Sequence, residues 1–178
     1  TSTTTLASLD NAGQITGAGV LGVAGLVNNN ATGTITLEAS STPTFGALTN
    51  AGTVATNAVL NVTGAYTQNA GTLTANANLN TGTFSGVGGT VVLNGASRFF
   101  IDQTAAGTYS GAVTGTGTVT KAGAETLTLA GIAGSFAPSA LTVQAGAVSA
   151  STNRVLAQAL VADVQTNGTL LVNADQVI

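Results

Sequence analysis

Apolar residues recur at a nearly fixed distance along this chain, each two positions after a glycine. The tripeptide Gly-Thr-apolar occupies residues 33–35, 52–54, 71–73, 89–91 and 107–109, so the interval between successive glycines is almost constant. A related tripeptide at 13–15 has glutamine in place of threonine. A period of about 20 residues predicts a solenoid, in which each repeat forms one coil and packs only on its neighbours.

Within each repeat, the apolar residue lies between small or polar residues. This alternation is typical of a β-strand with one buried side. We expect the apolar side chains to form a single file inside the solenoid, extended by the same tripeptide at 117–119 and 168–170. The predicted core ladder consists of Ile15, Ile35, Val54, Leu73, Val91, Tyr109, Val119 and Leu170.

A second series of strands lies between these repeats. Gly46-Ala47-Leu48, Gly64-Ala65-Tyr66 and Gly82-Thr83-Phe84 follow one another at the same interval, and the segments between strands are rich in Asn, Gly and Ala, as turns are. Each coil should therefore contain at least two strands.

We expect one ring of Phe99-Phe100 to fill the core or cover a coil edge. We also expect a strand rather than a helix near residues 160–164.

Together these patterns predict an all-β fold, a parallel β-helix (β-solenoid) of about nine coils of roughly 18–20 residues. We expect one solenoid domain over residues 1–178, with more regular coils in 1–110 and looser ones in 111–178.

Charged residues are unusually rare. They make up 5% of the chain, against about 25% in typical domains. The only basic residues, Arg98, Lys121 and Arg154, are far apart, and the net charge is −3. Binding to nucleic acid or to an anionic membrane needs clustered cations, so neither partner is expected. The longest apolar run, residues 17–27, is too short to cross a bilayer, and direct membrane insertion is not expected either.

The segment 114–131 carries a distinctive motif. Its residues are Gly115, Gly117, Val119, Lys121, Gly123, Thr126, Leu127, Thr128, Leu129 and Gly131, followed by a Thr-Val-x-x-Gly-x-Val phrase at 142–148. This motif resembles the repeat associated with the β-helix of autotransporter passenger domains, and the earlier coils are more loosely similar to filamentous-adhesin-like β-solenoids. The resemblance implies a right-handed β-helix that is exported through the outer membrane of a Gram-negative bacterium by type V secretion. It also implies a location at the cell surface or outside the cell.

Residues suited to catalysis or metal binding are sparse. The chain has no His and no Cys, which excludes His-based catalytic triads and removes the preferred ligands of zinc. Among the six carboxylates, only Glu125 and Asp163 are separated by two repeat lengths, and we interpret both as solvated side chains. Lys121 is interpreted as a solvated lysine of the repeat rather than the base of a Ser-Lys pair. The sequence therefore predicts no enzyme activity, no catalytic residues, no cofactor and no metal.

Three functions remain open. The first is a non-enzymatic stalk or adhesin at the cell surface, whose partners would be molecules of host or neighbouring cells. The second is a subunit that associates end to end into a filament or surface layer, helped by weak charge repulsion. The third is ice binding through outward Thr-x-Thr pairs, for which the candidates are Thr34/Thr36, Thr72/Thr74 and Thr118/Thr120, with interruptions at Ala55, Val92 and Leu171.

Overall fold

The computed structural model describes residues 3–176, and all regular secondary structure in this range is β-strand. In chain order the strands are β1 (Thr3–Leu6), β2 (Leu9–Asn11), β3 (Gln14–Gly17), β4 (Val20–Asn29), β5 (Thr34–Leu37), β6 (Thr44–Asn50), β7 (Thr53–Thr56), β8 (Leu60–Val62), β9 (Tyr66–Gln68), β10 (Thr72–Ala75), β11 (Leu79–Thr81), β12 (Phe84–Ser85), β13 (Thr90–Leu93), β14 (Arg98–Asp102), β15 (Gly107–Tyr109), β16 (Ala112–Gly115), β17 (Thr118–Ala122), β18 (Thr126–Leu129), β19 (Phe136–Ala137), β20 (Ala140–Ala150) and β21 (Val161–Val172). Residues 3–176 contain no helix long and apolar enough to cross a membrane.

Each coil of the stack has three sides, which we call the first, second and third faces. The first face begins with β1 and includes β8, β11, β14 and β17, whereas the second includes β2, β9, β12, β15 and β18. The long strands β4, β6, β20 and β21 contribute to both of these faces, which therefore form one continuous sheet. The third face is a separate sheet of β3, β5, β7, β10, β13, β16 and β19.

Neighbouring strands on all three faces pair in parallel, one coil above the next. The prediction of an all-β solenoid of parallel coils is confirmed, with three strands in a complete coil. The stack makes about eight turns, close to the nine expected. The turns are fewer because later coils are longer: the steps from Val91 to its partner Val113, and from Val113 to Phe136, both exceed the step from Leu73 to Val91.

The recurring glycine lies at the corner that leads into the third face. There the backbone N–H of Thr72 donates to the carbonyl of Gly52 in the preceding coil, at 2.9 Å. A Cβ atom on Gly71 would lie only 2.0 Å from that same carbonyl oxygen, and Gly71 has a φ of +62°. The corners are thus stacked so closely that a side chain at Gly71 has no room, which explains in physical terms why the repeat carries glycine there.

The inner side of the third face partly matches the predicted core ladder. Five residues of the predicted ladder lie in one in-register file, namely Ile15, Ile35, Val54, Leu73 and Val91. Ile15 is half-buried, and the other four are fully buried. The file continues through Val113 and Phe136.

The other three residues of the predicted ladder belong to different files, and the single ladder of eight is wrong for them. Val119 lies on the first face, in register with Phe99. Tyr109 and Leu170 lie on the second face, where Tyr109 pairs with Leu129. The reason is that the same Gly-Thr-apolar tripeptide serves as a strand start on all three faces, so the tripeptide alone does not identify the face.

Aromatic side chains fill the bore at the centre of the stack. Leu48, Tyr66 and Phe84 pair in register on the second face, which confirms the predicted second series. The Phe84 ring lies 4.6 Å from the Tyr109 ring and 4.9 Å from the Phe99 ring, centroid to centroid. Phe99 is fully buried, so the expectation that one ring of the Phe99-Phe100 pair enters the core is also confirmed.

A file of buried amides lies beside these apolar residues on the second face. Asn11 donates to Asn29, Asn29 to Asn50 and Asn50 to Gln68 through their side chains, at 2.8, 2.8 and 3.0 Å. Asn29 and Asn50 are fully buried, although the sequence pattern predicts that both belong to the Asn-rich turns between strands. The amides also bond to backbone carbonyls, including that of Gly33, and so satisfy polar groups where the coil bends.

Candidate functional site

Strand β14 on the first face presents an unusual outer surface. Its outward residues are Arg98, Phe100 and Asp102, which alternate with the buried Phe99 and Ile101. Two of the nine charged residues of the chain therefore flank one aromatic ring on a single strand. The ring of Phe100 is partly exposed, whereas every other aromatic side chain is buried, namely Phe45, Tyr66, Phe84, Phe99, Tyr109 and Phe136.

A groove of about 290 Å³ lies beside Phe100 at the corner between the first and second faces. Its walls come from three successive coils, through β8, β11 and β14 and the residues that follow them. We call it the Phe100 groove, and its lining consists of Asn61, Val62, Thr63, Asn80, Thr81, Gly82, Phe100 and Asp102.

The polar groups of the Phe100 groove are fixed in register. The side chain of Asn80 donates to the side-chain oxygen of Asn61 at 2.8 Å, and Asn80 pairs with Phe100 in the next coil. The guanidinium carbon of Arg98 lies 5.1 Å from the Phe100 ring centroid, a cation–π contact that holds the ring in place. The NH₂ of Asn61, the amide oxygen of Asn80 and the exposed carboxylate of Asp102 remain for hydrogen bonds to a ligand.

The outer surface of the third face is rich in threonine. One file is unbroken over four coils, and a second, two residues further along the strands, is interrupted at Ala55 and Val92. We call these two files the threonine face: Thr34, Thr53, Thr72 and Thr90 in the first, and Thr16, Thr36, Thr74 and Thr114 in the second. All eight side chains are partly or fully exposed, and none of the charged residues lies in a strand of this face.

The predicted Thr-x-Thr pairs divide between two faces. Thr34/Thr36 and Thr72/Thr74 belong to the threonine face, as do the interruptions at Ala55 and Val92. Thr118 and Thr120 instead lie on the first face, where Thr120 is buried, so this pair is not part of the same array.

The structure revises one candidate for acid–base chemistry. Lys121 is fully buried, not solvated as expected: it points into the bore, and its ammonium donates to the carbonyls of Gly123 and Ala145 at 2.8 and 2.9 Å. Burial lowers the pKa of Lys121, against the opposing effect of the Asp102 and Glu125 charges. Both described bonds of its ammonium go to backbone carbonyls, which gives Lys121 a role in joining two coils.

Glu125 and Asp163, which are separated by two repeat lengths in the sequence, lie at different positions around the solenoid. Glu125 is exposed in the turn between β17 and β18, and Asp163 is exposed on β21. Over residues 3–176 no group of three or more His, Cys, Asp or Glu side chains is arranged to hold a metal ion.

The Phe100 groove was not predicted from the sequence, although a signal for it exists. In the alternating strand Arg98-Phe99-Phe100-Ile101-Asp102, only one of two adjacent phenylalanines can face the core, and the other must face outward with both charges. The amides of Asn61 and Asn80 are separated by one repeat length, and this spacing predicts that they stack.

Comparisons of the chain with family models, with curated proteins and with solved structures found no match. The shape of the solenoid and the chemistry of its walls are therefore the observations that bear on function.

Proposed function

We propose that this chain is a non-enzymatic stalk and adhesive module of an exported, cell-surface protein of the autotransporter passenger type. The observation that carries the proposal is the unbroken stack of parallel coils, in which backbone hydrogen bonds join each interior coil to both neighbours. With about eight turns at roughly 4.8 Å per coil, the stack is a rod about 40 Å long. Such a rod holds groups on its surface at fixed distances from one another.

The chemistry of the walls supports contact with other surfaces. Thr and Asn side chains form regular outward files, such as Asn57, Asn76 and Asn94, whose amides bond from coil to coil at 2.8 Å. Hydroxyl and amide groups both donate and accept hydrogen bonds, and few charges oppose the approach of another molecule. The repeat motif at 114–131 adds the resemblance to passenger domains, which supports export.

Antibody labelling of intact cells that produce the protein tests the location. We expect labelling without permeabilisation, and its loss after protease treatment of the intact cells. Labelling that requires permeabilised cells would contradict surface display.

Adhesion is tested with coated beads. Beads that carry the purified chain should attach to cells more than beads that carry a heat-unfolded sample, whereas equal attachment would leave only the role of a spacer.

The threonine face supports ice binding as a second candidate function. It repeats at about 4.8 Å between coils and about 6.6 Å along each strand, which gives a regular, uncharged array of hydroxyl and methyl groups. Such an array is suited to ordering water in a regular layer. Thr72→Lys in the centre of this face should abolish thermal hysteresis, and Thr67→Lys on the outer side of the second face should not. Absence of hysteresis in the unmodified chain would remove this candidate.

A further inference from the structure

We propose that the Phe100 groove is a binding site for a neutral oligosaccharide. The inference deepens the proposed adhesive function, on which it rests, by naming the chemical class that the stalk would contact. It starts from the placement of Phe100, since burying an aromatic ring is favourable and the chain buries every other one. A partly exposed ring held in place by Arg98 offers a flat apolar surface to a ligand.

The groups around the ring fit a sugar in both shape and hydrogen bonding. Sugar rings combine an apolar C–H surface, which packs on an aromatic face, with hydroxyls that both donate and accept. The groove supplies the Asn61 NH₂ as donor, and the Asn80 amide oxygen and the Asp102 carboxylate as acceptors. A few convergent polar groups beside an apolar surface are typical of ligand sites, and the volume of about 290 Å³ suits a short segment of a longer chain.

The charges at this site favour a neutral ligand. Asp102 contributes one negative charge to the lining, and Arg98 contributes one positive charge beside the ring, so the groove has no excess of either sign. A peptide is a poorer fit, because peptides commonly bind by adding a strand to an open sheet edge. Here β11 is already paired on both sides, with β8 and with β14, and offers no free edge.

The extent of the groove also fits a polymer. Its lining comes from three successive coils, and about 10 Å separates the outer two. Another cavity, of about 390 Å³ near Gly111, is lined mainly by glycine and alanine and offers fewer side-chain groups to a sugar.

Isothermal titration calorimetry of the purified chain tests this site, with neutral hexasaccharides of glucose, galactose, mannose and N-acetylglucosamine as the probes. We expect at least one hexasaccharide to bind. Phe100→Leu, which keeps an apolar side chain but removes the ring, and Asn80→Ala should each weaken that binding about tenfold or more. Thr74→Ala, a matched change on the threonine face, should leave the affinity unchanged.

Two results would overturn the inference: no binding of any of the four hexasaccharides, or binding that Phe100→Leu and Asn80→Ala leave unchanged while thermal melting shows both variants folded. If Phe100→Leu does not fold, the hexasaccharide affinities of Asn80→Ala and Asp102→Asn are measured instead, since these side chains lie on the outer wall. Unchanged affinity in both variants would then overturn the inference. Failure here is distinguishable from failure of the stalk proposal, because antibody labelling of intact cells does not depend on sugar binding.

Discussion

The side-chain amide of Asn29 donates a hydrogen bond to the side-chain oxygen of Asn50, one coil away, at 2.8 Å inside the bore. Both side chains are fully buried, and the backbone carbonyls of Gly33 and Thr53 share the second N–H of the Asn29 amide, at 3.2 and 3.1 Å. This one amide therefore joins two coils and satisfies two backbone groups at a corner. Buried polar groups without partners are costly, so the amide file should contribute to stability and to the register of the coils.

Asn29→Ala should lower the free energy of unfolding by about 3 kcal/mol, because it leaves several buried donors and acceptors without partners. Urea unfolding followed by circular dichroism measures the change. Asn28→Ala is the matched control, since Asn28 is the neighbouring residue and its amide bonds at the exposed surface to Asp10. Its expected cost is below about 0.5 kcal/mol. Equal losses for the two variants would show that the buried file has no special role.

Gly71→Ala should destabilise the protein by about 3 kcal/mol or more, because the new Cβ would meet the Gly52 carbonyl at 2.0 Å and the backbone is left-handed. Gly13→Ala is the control, as its Cβ would have no heavy atom within 4 Å. Thermal melting should show a large drop in Tm for the first variant and little change for the second. If Gly71→Ala is as stable as Gly13→Ala, the corners are not stacked as described.

Two buried tyrosines should make the protein sensitive to alkali. Burial raises the pKa of Tyr66 well above its ordinary value of 10.0, and it raises the pKa of Tyr109 as well. The folded state thus holds these protons more tightly than the unfolded state does. The stability this provides is complete below pH 10 and is lost as pH rises above 10.

The urea concentration at the midpoint of unfolding should therefore decrease as the pH is raised from about 9 to about 11. It should fall less steeply in a variant with both Tyr66→Phe and Tyr109→Phe. The lowered pKa of Lys121 acts in the opposite direction, since the folded state gains stability as that amine loses its proton, so the double variant isolates the tyrosines. An equal change of the urea midpoint with pH in the unmodified chain and in the double variant would be inconsistent with buried tyrosines.

Removal of residues 60–78, one complete coil, should leave a folded protein. Leu60 pairs with Leu79, Tyr66 with Phe84 and Leu73 with Val91, so each lost strand has a replacement of the same kind in the next coil. Circular dichroism and thermal melting should show β-structure and a cooperative transition. Removal of residues 60–68 alone takes away β8 and β9 and should unfold or aggregate the chain. The same behaviour in both deletions would argue against interchangeable coils.

The sequence predicted the solenoid because its period depends on features that every coil must share. Stacked corners need glycine, and each inner side needs an apolar residue two positions later, as at Gly71 and Leu73. These requirements recur on all three faces, and for this reason the tripeptide predicts the wrong file for Tyr109 and Val119. The longer coils after Val91 made the assignment harder, since the tripeptide at 107–109 keeps the expected spacing and yet lies on the second face.

The sequence pattern predicts turns at the buried amides, because asparagine is common both in turns and in such buried files. Their period-two relationship to the buried apolar residue was a usable signal: Asn29 follows Val27 by two positions, and Asn50 follows Leu48 likewise, so each pair shares the inner side. The Phe100 groove is less apparent in the sequence, since it depends on which of two adjacent phenylalanines faces the core. That choice is made by pairing with Leu79 and Val119 in neighbouring coils, a non-local contact.

The measurement that tests the stacked coils most directly is a pair of spin-label distances in this cysteine-free chain. Cysteines placed at Thr16 and Val92 are four coils apart in one file, and those at Thr16 and Thr114 are five coils apart. Narrow distributions near 19 Å and 24 Å are expected, at about 4.8 Å for each coil. Broad distributions, or a difference between the two pairs unrelated to one coil height, would contradict the solenoid.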